Sequence, residues 1–193
     1  MKTQTTRRTL AALVIATALA ASAFGKPAAN ILPEGTVTGD VGTPPRGWKA
    51  PHINYLDRIG GSIQLHKDAK EPGLFVSFTN TDNKTLVRIE SQIEVDPEWI
   101  GRVLVFRARM RGKDFKPGTE QWHLAGVHVS YIRTDGKTAY NPGRLQITEA
   151  NSEWRNFTSD WVIADDAKLI NVAVGLMGVT GTLDVRDIEF SVQ

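Results

Sequence analysis

The 193-residue sequence has no cysteine. That excludes disulfides, thiolate metal sites, cysteine nucleophiles and a lipid-modified N-terminal cysteine together. Long apolar runs are also missing: the longest, residues 10–20 (LAALVIATALA), is eleven residues, whereas a helix crossing a ~30 Å hydrocarbon layer needs about 20. Beyond it, no 12-residue stretch repeats its apolar positions with a 3.6-residue period, so helices are not expected to build the fold. The four histidines show no H-x-H or H-x-x-x-H spacing, which argues against a zinc site. No G-x-S-x-G, P-loop or dinucleotide fingerprint is present. With 17 glycines and 9 prolines the chain is neither collagenous nor a low-complexity linker, and it has no internal repeat.

The N-terminus reads as an export address. Lys2, Arg7 and Arg8 precede the apolar run, and Ala21-Ser22-Ala23 fits the small-residue cleavage pattern of a secretory signal peptide. The expected division is a signal peptide over 1–23 and one domain over 24–193, secreted or periplasmic and without a membrane span. The paired arginines also suggest twin-arginine export. Removing Lys2, Arg7 and Arg8 with the leader leaves 20 basic against 21 acidic residues, a formal charge of −1. A global basic field for nucleic acid is therefore absent.

The remainder reads as strands. Val, Ile, Thr and aromatic residues recur in short runs near 62–67, 74–79, 86–95, 103–111, 125–133, 157–163, 168–177 and 182–192. Turn chemistry separates them, as in Thr81-Asp82-Asn83, Asp135-Gly136, Asn141-Pro142-Gly143 and Asp165-Asp166. Asp96-Pro97-Glu98-Trp99 predicts one helical turn capped by Asp96. Eight or more strands in ~150 residues predict an all-β sandwich or jelly roll. Alternation sets Leu104, Phe106, Ala108 and Met110 against Val105, Arg107, Arg109 and Arg111. It likewise sets Val127, Val129 and Tyr131 against His128 and Ser130, and Ile170, Val172, Val174 and Leu176 against Asn171, Ala173 and Gly175. Faces lined by arginine, histidine, asparagine and glycine are either plain solvated surfaces or shallow binding surfaces.

Several ordered motifs carry a family resemblance. Asn30-Ile31-Leu32-Pro33-Glu34-Gly35 resembles the opening "N-L-L-P-N-G" of secreted carbohydrate-binding modules of families 4, 9 and 22, and Gly47-Trp48 their "G-W". Ile93-Glu94-Val95-Asp96-Pro97 with residues 103–109 resembles "V-x-V-x-P-G…Y-x-L-S-F-x-A-R"; Trp154-Arg155-Asn156-Phe157 with Trp161 resembles "W-x-x-F-x-x-x-F"; residues 183–188 resemble the closing "D-D-V". The resemblance implies a β-sandwich jelly roll, galactose-binding-domain-like, whose concave sheet forms a cleft for polysaccharide or oligosaccharide. It implies that Tyr140 stacks on sugar and that Asn171 offers an amide, with Gly175 where a second amide is expected. His128 would point into the cleft and Trp122 would stand at its rim. Trp154 and Trp161 match core positions, and Trp48 and Trp99 read as packing lids. The resemblance also implies a structural Ca²⁺ held by Asp187 and Asp184, with no other cofactor required.

Arg107 and Arg109 raise a question of ligand charge. If their face is the concave one, guanidinium groups line the cleft floor beside His128 and suit acidic or substituted polysaccharides. The alternative is a convex face on which they pair with Glu90 and Glu94. Three classes of function stay open: a non-catalytic sugar-binding module, a small polysaccharide-acting hydrolase or lyase, and an interaction or matrix domain without sugar affinity. A hydrolase needs two carboxylates about 5 Å apart. The inward-facing types are instead Arg, His, Asn and Ser, and Gln64, His66 and His128 supply only the residue types a lyase would use.

Overall fold

The computed structural model describes residues 29–193 except 33–36, 52, 57, 59 and 117, and the side chains of Asn141 and Pro142 are likewise outside the description. The expected signal peptide, the Pro33-Glu34-Gly35 part of the opening motif and His52 therefore lie outside the described residues. The rest forms a short helix α1 (Ile53–Leu56) and nine strands: β1 (Ser62–Lys67), β2 (Leu74–Asn80), β3 (Leu86–Glu94), β4 (Val103–Lys116), β5 (Leu124–Arg133), β6 (Thr138–Gln146), β7 (Ser152–Val162), β8 (Ala167–Met177) and β9 (Thr180–Val192). They pair antiparallel in two sheets, ordered β1-β2-β9-β4-β7 and β3-β8-β5-β6, the β-sandwich jelly roll expected. Among the described residues no helix is long and apolar enough to cross a membrane.

The alternating residues make the core. Leu104, Phe106, Ala108 and Met110 from one sheet meet Val127, Val129, Ile170, Val172, Val174 and Leu176 from the other, and all are buried. Phe106 stacks on Phe190 with ring centroids 5.5 Å apart. Trp48, Trp99, Phe157 and Trp161 pack against this cluster, and Trp161 stacks on Tyr131 at 5.0 Å. Asp96 caps the turn at Pro97–Trp99 by accepting from the Glu98 amide at 2.9 Å, as its sequence predicts. The opening Asn30 is a strap: its Oδ1 accepts from the Phe190 amide and its Nδ2 donates to the Ile188 carbonyl, tying the N-terminal segment to β9.

Two elements differ from expectation. β6 runs through Asn141-Pro142-Gly143, which reads as a turn. It survives because β6 is an edge strand, where a missing amide donor costs little, and because the register slips between Val129 and Ser130 to absorb the irregularity. Trp154 is not in the core. β7 pairs irregularly with β4 between Met110 and Gly112. The Trp154 indole lies among the guanidinium groups of Arg109, Arg111 and Arg186, 4.6–5.8 Å from its ring centre, at the edge of the Phe75 ring.

Candidate functional site

Cross-strand register builds a groove on the outer face of the four-stranded sheet. One rung runs Gln92–Asn171–Ser130–Tyr140 across β3, β8, β5 and β6; the next runs Glu90–Ala173–His128–Arg144; the third runs Arg88–Gly175–Gly126–Gln146. Residues directly opposite on antiparallel strands share a face, so these side chains line one surface. The hollow above them encloses about 510 Å³, and Lys49 and Trp122 contribute to its walls. Lys49 enters because its backbone bridges to Glu90 on the outer edge of β3.

The structure thus brings four of the sequence-derived candidates together: Trp122, His128, Tyr140 and Asn171. Tyr140 is 72% and Trp122 59% exposed, flat apolar rings left open to solvent. Trp122 is placed by its neighbour His123, whose ring meets the indole edge at 4.2 Å and whose Nδ1 accepts from the Glu120 amide. Gly118 and Gly178 let the His123 ring pass, since a Cβ at either would collide with it. Asn171 is oriented by Gln92, whose Nε2 donates to its Oδ1 at 3.0 Å, which turns the Asn171 amide donor outward. Burial chiefly, and then the charges of Arg88 and Arg144, holds the His128 imidazole below its ordinary value of 6.5. His128 is therefore a neutral donor and acceptor at pH 7.

Gly175 cannot be the second amide. Its φ is +146°, and a Cβ there would lie 2.2 Å from the Val87 carbonyl oxygen. The glycine is demanded by the close approach of β3 to β8, and the amide next to Asn171 on this face is that of Gln92, across the ladder.

Arg107 and Arg109 are not in the groove. β4 belongs to the five-stranded sheet, and their face is its outer one, on the far side of the sandwich from His128. Nor do they pair with Glu90 or Glu94, which belong to the opposite sheet. Arg109 binds Glu71 through two nitrogens, at 2.7 and 3.1 Å, Arg111 donates to Asp184 at 2.7 Å, and Arg107 stands 3.9 Å from Glu189. Arg186, 6% exposed, completes the network by reaching Glu71 and the Pro72 carbonyl. The Arg109 hydrogen bonds hold the Glu71 carboxyl below the usual carboxylate range. Alternation reveals that such a face points outward but not which sheet owns it. Gln64 and His66 on β1 belong to this second sheet too.

The same network bears on calcium. Asp184 accepts from Arg111, and Asp187 lies 3.4 Å from Arg186 and 3.7 Å from Arg109. Carboxylates already committed to guanidinium groups do not fit a hard cation, which needs uncommitted oxygens. Among the described residues no group of three His, Cys, Asp or Glu side chains could hold a metal.

Sequence reasoning missed Arg88, Glu90, Gln92, Arg144 and Lys49. The signal available was the alternation of β3, in which Arg88, Glu90 and Gln92 oppose Val87, Ile89 and the core.

No family model and no curated protein sequence matches the chain. Solved structures do. A carbohydrate-binding module of family 4 superimposes with a TM-score of 0.53 at 14% identity, over 82% of this chain and 94% of its own. A family 16 carbohydrate-binding module gives 0.53 at 16%, over 83% and 99%. The enzymatically active domain of bacteriophage CBA120 tailspike protein 4 gives 0.53 at 7%, but this chain spans only 18% of that protein. At these identities the likeness is one of fold: the chain has the β-sandwich of carbohydrate-binding modules and matches two of them over nearly their whole length.

Proposed function

We propose that the groove of the four-stranded sheet binds a polysaccharide or oligosaccharide without cleaving it. One observation carries the reading: two largely exposed rings, Tyr140 and Trp122, stand over a floor of oriented amide, imidazole and hydroxyl groups. A pyranose presents apolar C–H faces to rings and a fringe of hydroxyls to amides, so this pairing of surfaces suits it. The jelly-roll likeness to carbohydrate-binding modules agrees with it. Against hydrolysis stands the lining itself. Its one carboxylate among the described residues, Glu90, is held by Arg88 at 2.6 Å, whereas a glycosidase needs two.

A second reading, β-elimination of a uronate polymer, is favoured by a single feature: neutral His128 flanked by Arg88 and Arg144, one rung from Tyr140. That set contains a base and cations that could offset a carboxylate.

Affinity electrophoresis against soluble polysaccharides tests the first reading. At least one polymer should retard the protein. Tyr140→Ala and Trp122→Ala should each weaken that binding about tenfold, the equivalent of about 1.4 kcal/mol, without lowering Tm. Retardation by no polymer, or retardation indifferent to both variants, refutes it. Unsaturated products absorbing in the ultraviolet would instead establish the lyase reading.

A further inference from the structure

We propose that this groove selects polysaccharides bearing anionic groups, carboxylate or sulfate, through Arg88, Arg144 and Lys49. The inference rests on the groove being a polysaccharide site and adds the class of polymer.

The charge is local. With the leader removed the chain is almost neutral, yet among the described residues the groove carries Lys49 and Arg88 against the single carboxylate of Glu90, with Arg144 beside it on β6 in an adjoining hollow that Glu120 also lines. Arg144 sits opposite His128 on β6, is exposed, and has no ion pair or side-chain hydrogen bond among the described residues. Lys49, also exposed, has none either. Arg88 spends one terminal nitrogen on Glu90, while its Nε is buried and meets no acceptor.

The other face of the sandwich shows the contrast. There Arg109, Arg111 and Arg186 each have carboxylates within 4 Å, and Arg107 has Glu189. The arginines of that face are thus matched by acids, whereas Arg144 and Lys49 are left open. Arg88 and Arg144, on the two edge strands of the sheet, both act on His128 between them, so their positive potential meets on the middle of the floor. An anionic group bound there receives charge-assisted hydrogen bonds, shorter and stronger than those to a hydroxyl. Guanidinium geometry suits carboxylate and sulfate alike, so the shared chemistry is a planar or tetrahedral oxyanion on a sugar ring.

The test compares polygalacturonate with its methyl ester, and dextran sulfate with dextran, by affinity electrophoresis of the protein at about 0.02 and about 0.5 M salt. At least one anionic polymer should be bound tenfold or more tightly than its neutral partner, and the difference should shrink at high salt. A preference in the first pair alone identifies carboxylate, in the second alone sulfate. Arg144→Ala should cut anionic binding about tenfold and leave Tm unchanged, because that side chain holds nothing in the fold; Arg144→Lys should restore part of it. Equal binding of neutral and anionic polymers, insensitive to salt, overturns the proposal and leaves the groove reading intact. Anionic binding unaltered by Arg144→Ala, Lys49→Ala and Arg88→Ala also overturns it. Binding of no polymer refutes both.

Discussion

Gly175→Ala places one methyl group where the groove floor has no room for it. The position has φ +146°, in a region that non-glycine residues occupy at a cost of about 1–3 kcal/mol. The added Cβ would also lie 2.2 Å from the Val87 carbonyl oxygen and 2.7 Å from the Arg88 Cα, both closer than real Cβ contacts come. Both obstacles are backbone, so no side chain can swing away; β3 must retreat from β8 along the Arg88–Gly175 rung. Adding the displaced ladder to the conformational strain gives about 3 kcal/mol or more. For a domain of 150–250 residues that corresponds to a fall in Tm of at least about 6 °C. Gly136→Ala is the internal control: its φ of +83° is also unfavourable to alanine, but a Cβ there meets nothing within 4 Å. It should lose only about 1 kcal/mol, or about 2–4 °C. Thermal unfolding of both variants decides the matter. A Gly175→Ala protein melting within 2 °C of Gly136→Ala (on the scale of about 2–4 °C per kcal/mol) would refute the claim that close approach of β3 and β8 excludes a side chain.

Two further outcomes follow from the charges. Arg107→Ala/Arg109→Ala should lower Tm, because Glu71 loses its two-pronged partner, yet leave retention by every polysaccharide unchanged; loss of retention would put the ligand on the five-stranded sheet. His128 has its folded pKa depressed below 6.5, so below that pH the unfolded chain takes up the proton more readily. Its contribution to stability is whole above pH 6.5 and is lost as pH falls through the lower folded value. Tm measured from about pH 7.5 down to about pH 5 should therefore decline more steeply in the native protein than in His128→Gln; parallel curves would show that His128 is not desolvated.

Alternation carries most of what the sequence reveals. The core faces of β4, β5 and β8 follow directly from every second residue being aliphatic or aromatic, and those residues are the buried ones. His128 and Asn171 were legible for the same reason, as polar interruptions on strands whose other face is apolar. Tyr140 was legible only by resemblance, since β6 itself is obscured by Asn141-Pro142-Gly143. What alternation cannot supply is sheet membership. Arg109 and His128 look alike in the sequence, each on an outward face, but β4 joins β9 and β7 whereas β5 joins β8 and β6. That choice depends on pairings between strands far apart in the chain, and local pattern holds no record of them. Trp154 failed for another reason: three residues from Phe157, it falls on the opposite face by alternation itself, and only the family resemblance put it in the core.

The two outer faces use one residue type for opposite ends. On the five-stranded sheet the β1–β2 loop folds Asp68 and Glu71 over the arginines. The Lys70 amide above all, then the Trp154 indole N–H, holds Asp68 ionised, and Arg109 does the same for Glu71. Each guanidinium there has its charge met within the protein, so an arriving anion would have to displace a carboxylate already in place. In the groove only Arg88 is met, and only in part, while Lys49 faces its open volume and Arg144, exposed on β6 opposite His128, stands beside it. Burial of His128 in neutral form removes one further proton from an already positive floor, which lowers self-repulsion while the groove is empty. An oxyanion bound above it would reverse that balance and raise the His128 pKa, so binding of an anionic polymer and protonation of His128 should reinforce one another. The number of arginines therefore says little about ligand charge in this fold; what matters is which of them the protein's own acids leave unanswered.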